Sequence, residues 1–238
     1  MAPQFSIAAN DSQPQPLRKA LRMKIVSVNV GEPRKVIWKG SEVVTGIFKS
    51  PVAGPVMVRR LNLDGDRQAD LENHGGLRKA VYAYPAEHYD AWRKELPGVE
   101  LSWGAFGENF TVEGLREEET CIGDQFRFGE AVLMVTQPRV PCYKLGLRLG
   151  RDDMVKRFLQ SHRSGVYFRV VEEGLVSNGD AVERIKQEED CITVMEINRA
   201  FANTQDNLPL VRRLVRHPLL PSGFRDHFLT QLDALEES

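Results

Sequence analysis

From Met23 onward the apolar positions fall into short runs of two kinds. Lys24-Ile25-Val26-Ser27-Val28-Asn29-Val30 alternates and then meets Gly31, the pattern of a half-buried strand closed by a turn. Residues 36–38 and 43–45 flank Lys39-Gly40-Ser41-Glu42 and predict a hairpin. Gly65-Asp66, Gly123-Asp124 and Gly179-Asp180 each mark a turn. The second leads into alternating residues 125–128 and the apolar run 131–136, and the third leads into residues 181–185. Residues 80–84 and 110–112 predict two further strands. Many short strands divided by turn residues point to a mainly β, antiparallel-rich barrel or sandwich rather than a βαβ sheet.

Helical spacing interrupts the strands in two places. Pro85 suits a first helical position, and Tyr89, Trp92 and Leu96 follow on one face. After Cys142, Leu145 and Leu149 stand four apart. Asp152 and Asp153 then cap a segment with Val155, Phe158 and Leu159 on one side. The last stretch is helical throughout. Thr193 and Glu196 form a capping-box pattern. A second helix starts at Asp206 or Asn207 and stops at Pro218, and a third starts at Ser222 with Phe224, Phe228, Leu232 and Leu235 in one stripe. The division predicted is a disordered arm (residues 1–22, rich in Pro and Gln), a β domain (23–190) and a three-helix appendage (191–238). So small a bundle needs cover, from the barrel or from a second subunit, and a homodimer is expected on that ground.

Composition narrows the class without naming the chemistry. The 238 residues are 42% hydrophobic and 27% charged, with 32 basic against 33 acidic side chains. A net charge of −1 offers no field to recruit a nucleic-acid polymer or an acidic membrane. No apolar run approaches the roughly 18 residues that a spanning helix requires. The cysteines Cys121, Cys142 and Cys191 lie far apart, are odd in number and form no C-x-x-C, so the expectation is three thiols in a reducing cytoplasm. Neither a cysteine-rich zinc site nor an iron–sulfur cluster is expected.

Three windows can carry chemistry. Gln137-Pro138-Arg139-Val140-Pro141-Cys142-Tyr143-Lys144 follows a buried-type strand and precedes a helix. Two prolines fix the direction of Cys142, while Arg139, Lys144 and the helix start favour its thiolate. The alternative is a small buried hydrophobe, which also remains the reading for Cys121 and Cys191. In Asn73-His74-Gly75-Gly76-Leu77-Arg78-Lys79 the paired glycines expose backbone N–H groups, and His74 titrates near neutrality. A tight loop needing positive φ explains the same residues. In Gly104-Ala105-Phe106-Gly107-Glu108-Asn109-Phe110, the Asn109 amide can read the edge of a heterocycle or simply serve a turn. Lys79, Arg139 and Arg169 are candidate phosphate grips. Phosphate-binding glycine loops, H-E-x-x-H and G-x-S-x-G are absent.

Together these blocks resemble the MOSC family, named after the C-terminal domain of molybdenum-cofactor sulfurase. The resemblance rests on Asn73-His74-Gly75-Gly76 with Lys79-Ala80-Val81-Tyr82-Ala83-Tyr84-Pro85, on Phe106-Gly107-Glu108-Asn109-Phe110, on Ile122-Gly123-Asp124 and on the Cys142 window. The helical tail is similar to the three-helix domain of the YiiM-like branch. The resemblance implies a closed β-barrel like that inside pyruvate kinase and a site for the molybdenum-pterin cofactor (molybdopterin). It also implies reduction of N-hydroxylated base analogues such as hydroxylaminopurine. Cys142 would be the metal ligand, and His74 or Asn109 would orient substrate or pterin. Asn73, Gly75, Gly76, Lys79, Gly107, Glu108, Arg139, Lys144 and Arg169 would bind cofactor. Pyridoxal phosphate is not expected. Electrons would come from a separate donor protein, because no haem, flavin or iron–sulfur motif is present. Two other readings stay open, a sulfur carrier holding a persulfide on Cys142 and a non-catalytic cofactor-binding module.

Overall fold

The computed structural model describes residues 23–70 and 75–236. The expected arm (residues 1–22), Asn73 and His74 lie outside them. In chain order the strands are β1 (Met23–Val30), β2 (Arg34–Trp38), β3 (Ser41–Thr45), β4 (Ser50–Pro51), β5 (Val56–Val58) and β6 (Val81–Pro85). They continue with β7 (Phe110–Glu113), β8 (Gln125–Phe128), β9 (Ala131–Pro138), β10 (Val166–Glu172), β11 (Gly174–Val176) and β12 (Ala181–Lys186). The helices are α1 (Glu87–Glu95), α2 (Tyr143–Leu149), α3 (Met154–Ser161), α4 (Val194–Ala202), α5 (Leu208–Leu214) and α6 (Ser222–Glu236).

Seven strands close into a barrel in the order β12-β8-β9-β10-β6-β7-β1, and β1 pairs back onto β12. All neighbours are antiparallel except β6 and β7, which run parallel because α1 carries the chain between them. Closure leaves the barrel strands without open edges. The short hairpin β2–β3 turns through Lys39 (φ 50°) and Gly40 (φ 80°), a two-residue loop whose paired positive φ values match the twist of the strands.

Alternation along β6 builds two cores at once. Val81 and Ala83 join the barrel interior, where Phe110, Phe126, Phe128 and Phe168 meet at ring distances of 5.4–6.4 Å. Tyr82 and Tyr84 face the other way, into a second cluster with Tyr89, Trp92, Phe106 and Phe158 under α1, α2 and α3. Each such ring fully withdrawn from water contributes roughly 1.5–3 kcal/mol. A strand buried on both faces is thereby pinned in register.

Helices α4 to α6 dock on the barrel. Ile197, Ala200, Val211, Leu214, Phe224 and Phe228 belong to the same buried cluster as the barrel interior. Of the expected apolar stripe, Phe224 and Phe228 are buried in this cluster and Leu232 packs against it half-buried. The capping box at Thr193 and Glu196 forms as predicted.

Local expectations fail where long-range contacts take over. Pro85 ends β6, opposite Val112, and α1 starts at Glu87 instead. Asp153 does sit before α3, but its carboxylate goes to Arg151 and Arg157 rather than to the helix N–H groups. Cys121 and Cys191 are not separate thiols but form a disulfide, with Cα atoms 5.2 Å apart. Sequence separation hid the pair. The bridge between Cys121 and Thr193, with the bond from Ile122 N–H to the Ile192 carbonyl, lays the two segments side by side. Among the described residues no helix is long and apolar enough to cross a membrane.

Candidate functional site

Four adjacent strands place the site. Tyr82 on β6 is the cross-strand partner of Tyr167 on β10, and Tyr167 is in turn opposite Gln137 on β9. Asn109, just ahead of β7, donates its N–H to the Tyr82 carbonyl at 2.7 Å, and its side-chain oxygen accepts the Tyr82 N–H at 3.1 Å. The Tyr82 and Tyr167 rings lie 4.9 Å apart. Beyond Gln137 the chain leaves the sheet at Pro138, and residues 139–142 pass beside this row. Cys142 occupies the N-cap position of α2 and is half-buried.

A narrow cleft of about 580 Å³, its open mouth included, lies over the row. Cys142, Tyr82, Tyr167, Asn109 and Gly107 line it, with the cations Lys49, Arg67, Lys79, Arg139 and Lys144 and the carboxylate of Asp70. Two of the cations are buried. Arg139 donates to the Phe106 carbonyl and lies 5.0 Å from the Tyr82 ring centre and 5.6 Å from that of Phe158. Burial works against its charge, but its surroundings of Tyr82, Tyr167 and Cys142 hold its pKa above the ordinary value, so the guanidinium stays charged beside the sulfur. Lys49 is paired with Asp66 below the cleft. Burial lowers the Lys49 pKa, and the Asp66 carboxylate opposes that fall.

Asp66 organises this floor. One of its oxygens accepts the Lys49 ammonium and the Gly31 N–H (3.0 Å), and the other accepts the Asn109 amide (2.9 Å). Asn109 therefore lines the cleft with an amide already engaged by Asp66 and by the Tyr82 backbone. It braces the site instead of presenting an uncommitted heterocycle reader. At the mouth, Lys144 lies 3.8 Å from Asp70, and burial lowers the Lys79 pKa against the pull of the same carboxylate. Burial raises the pKa of both Tyr82 and Tyr167, so their phenols stay neutral.

A second, wider space of about 1,720 Å³, open to solvent, adjoins the first. Lys79, Tyr167 and Cys142 line both, so the sulfur stands at the junction. Gly75 and Gly76 face this outer groove, with Gly76 at φ 84° leading into a 3₁₀ turn at Leu77–Lys79. Thr136 fastens that turn to the sheet through its hydroxyl, which bonds to the Arg78 carbonyl at 2.6 Å.

The structure thus gathers Cys142, Arg139, Lys144, Lys79, Gly107 and Asn109 around one cleft and sets Gly75 and Gly76 on the adjoining groove. It does not bring Glu108 or Arg169 to either. Glu108 is fully buried and accepts bonds from the Gly104 and Phe106 N–H groups and from the Tyr89 and Thr111 hydroxyls, which hold the 104–108 loop in place. Its carboxyl pKa is raised by burial, against the bonds from Tyr89, Gly104 and Thr111. Arg169 lies on a separate depression with Arg60 and Glu173. Sequence reasoning missed Lys49, Asp66, Tyr82 and Tyr167. The Gly65-Asp66 turn was visible, but nothing in it marked the carboxylate as the partner of a lysine 17 residues away.

The donor set fits a molybdenum-pterin group. Among the described residues no three His, Cys, Asp or Glu side chains cluster as a protein metal cage. A metal held by Cys142 would need other ligands brought with it, as a dithiolene brings them, and the cationic cleft suits the attached phosphate.

Comparison with known proteins agrees with this architecture. The family model described as "MOSC domain" matches residues 70–183. The Bacillus subtilis protein YflK is 44% identical over 91% of this chain and 98% of its own length. A protein named "Reductase" from Gibberella moniliformis is 30% identical over 91% of this chain but only 38% of its own length. The crystal structure of YiiM from Geobacillus stearothermophilus superposes with a TM-score of 0.72 at 34% identity, covering 88% of this chain and 99% of that one. With the MOSC model matching the barrel region and the fold superposing over nearly the full length of a YiiM structure, the chain belongs to the YiiM-like MOSC family.

Proposed function

We propose that the protein binds the molybdenum-pterin cofactor and reduces N-hydroxylated compounds, such as hydroxylaminopurine, to amines. One observation carries the reading. The Cys142 thiol opens onto a cleft walled by five cations, two of them buried, with a wider groove on its other side. The kinship to a protein named as a reductase supports the class of reaction.

The balanced change is R–NH–OH + 2e⁻ + 2H⁺ → R–NH₂ + H₂O: the N–O bond breaks, and the oxygen leaves as water. When bound, the cofactor supplies the two-electron chemistry. The residues of the chain bind and orient. Cys142 would hold the metal through its sulfur, with the Arg139 charge favouring the anionic form. Lys49, Lys144 and Arg67 would balance the phosphate of the pterin. Gly107, whose added Cβ would stand 3.0 Å from Ile47, keeps the cleft wall close. Lys79 borders both spaces, and burial lowers its pKa, so its Nζ is suited to deliver a proton to the departing oxygen. Electrons would enter from a separate donor protein.

The test is turnover. Protein from a cofactor-competent host, given a chemically reduced viologen as donor, should convert 6-hydroxylaminopurine to adenine, and Cys142→Ser should abolish the conversion. Molybdenum-loaded protein that reduces no N-hydroxylated compound overturns the reading.

A further inference from the structure

The outer groove has two walls of different origin. On the barrel side stand Leu77 and Val140, 48% and 42% exposed. The facing wall comes from the three-helix domain: Phe201 at the end of α4, with Pro221, Ser222, Gly223 and Phe224 at the start of α6. Phe201 is half-buried and held by its neighbours, with ring centres 5.5 Å from Phe224 and 4.6 Å from His227. A ring braced this way keeps its direction and loses little entropy on meeting a second ring. The groove is continuous with the inner cleft through Cys142, Lys79 and Tyr167.

Resting on the reading above, in which Cys142 marks the reacting end, we infer that this groove is the substrate subsite and that the three-helix domain sets its specificity. Its occupant is a flat heteroaromatic N-hydroxylated molecule, lying between the Phe201 face and the Leu77–Val140 wall with its N–OH toward Cys142. The two spaces divide the work by chemistry. The cationic cleft suits the anionic cofactor, whereas the groove offers the apolar and aromatic surfaces on which uncharged planar rings stack. A small aliphatic N-hydroxylated compound reaches the same sulfur without using Phe201.

Two measurements on cofactor-loaded protein test this, one of them independent of turnover. Binding of adenine, the amine product, is followed by calorimetry. The ratio of kcat/KM for 6-hydroxylaminopurine to that for acetamidoxime is followed with reduced viologen. Phe201→Ala should weaken adenine binding at least tenfold and lower the ratio by a similar factor, through KM. Phe201→Tyr should retain both. Gly223→Trp adds bulk where a Cβ meets nothing within 4 Å, and should lower both without disturbing the packing around Phe201. Adenine binding and ratio at the wild-type level in both Phe201→Ala and Gly223→Trp would overturn the inference. Wild-type protein that binds adenine in this Phe201-dependent manner yet reduces nothing would sink the reductase reading while leaving the subsite standing.

Discussion

Asp66 offers the sharpest test of how the floor of the cleft is held. Its side chain is fully buried and carries three bonds, to the Lys49 ammonium, the Gly31 N–H and the Asn109 amide. Asp66→Ala strands a buried lysine, and breaking one side of a buried pair costs about 3–5 kcal/mol. For a chain of this length, each kcal/mol moves the midpoint by roughly 2–4 °C, so the melting temperature should fall by roughly 6–20 °C. The loss is bounded because Lys49 can shed its proton, toward which burial already pulls it. The sign with pH follows. The unfolded chain keeps a proton on Lys49 up to the ordinary lysine pKa, whereas the folded chain gives it up earlier. Stability should therefore rise with pH across that interval, and more steeply in Asp66→Ala, where no carboxylate opposes burial. Replacing both ion partners, Lys49→Met with Asp66→Leu, should recover the part of the loss due to the stranded lysine, while the Gly31 N–H and the Asn109 amide still lack their acceptor. Urea unfolding of wild type, Lys49→Met, Asp66→Leu and the double variant closes a cycle that reads the coupling directly. An Asp66→Ala protein within about 1 kcal/mol of wild type, or a double variant no more stable than Asp66→Ala, would refute the buried-pair argument.

Two further outcomes follow. The Cys121–Cys191 disulfide closes a loop across 70 residues, so replacing both cysteines by Ala should lower stability by about 4 kcal/mol in the chain-entropy account, measured by denaturant unfolding; a change below about 1 kcal/mol would mean that the bond closes no flexible loop. His162 ends α3 at φ 57°, and burial, with Arg199, lowers its pKa. The unfolded state then holds the extra proton just below the ordinary histidine pKa, so stability should climb with pH there, and His162→Asn, which tolerates the same backbone, should flatten the climb in thermal melts.

The barrel was legible in the sequence where one face is wet or a glycine ends the run, as in β1, β8 and β12. The tail was legible through the capping box of Thr193 with Glu196 and through the start of α6 at Ser222. What escaped depends on pairing across long separations. The parallel join of β6 to β7 turns Pro85 from a helix start into a strand end. The Cys121–Cys191 bond and the Lys49–Asp66 pair likewise have no local signature. The Cys142 window was visible because prolines and cations crowd one short stretch, but the row that supports it needs Tyr82 and Tyr167 brought together from distant parts of the chain. Glu108 shows the converse. Its motif suggested a ligand contact, whereas its four donors make it the clamp of its own loop.

Cys142, on this proposal, is a metal ligand at the meeting point of a cationic cleft and an open groove. The most direct test is elemental and pterin analysis of wild type and Cys142→Ser purified side by side from a cofactor-competent host, with folding checked by circular dichroism. Near-stoichiometric molybdenum and pterin in the wild type, and loss of molybdenum from a folded Cys142→Ser, is the outcome predicted. Molybdenum absent from the wild type, or retained in full by the serine variant, would contradict the account.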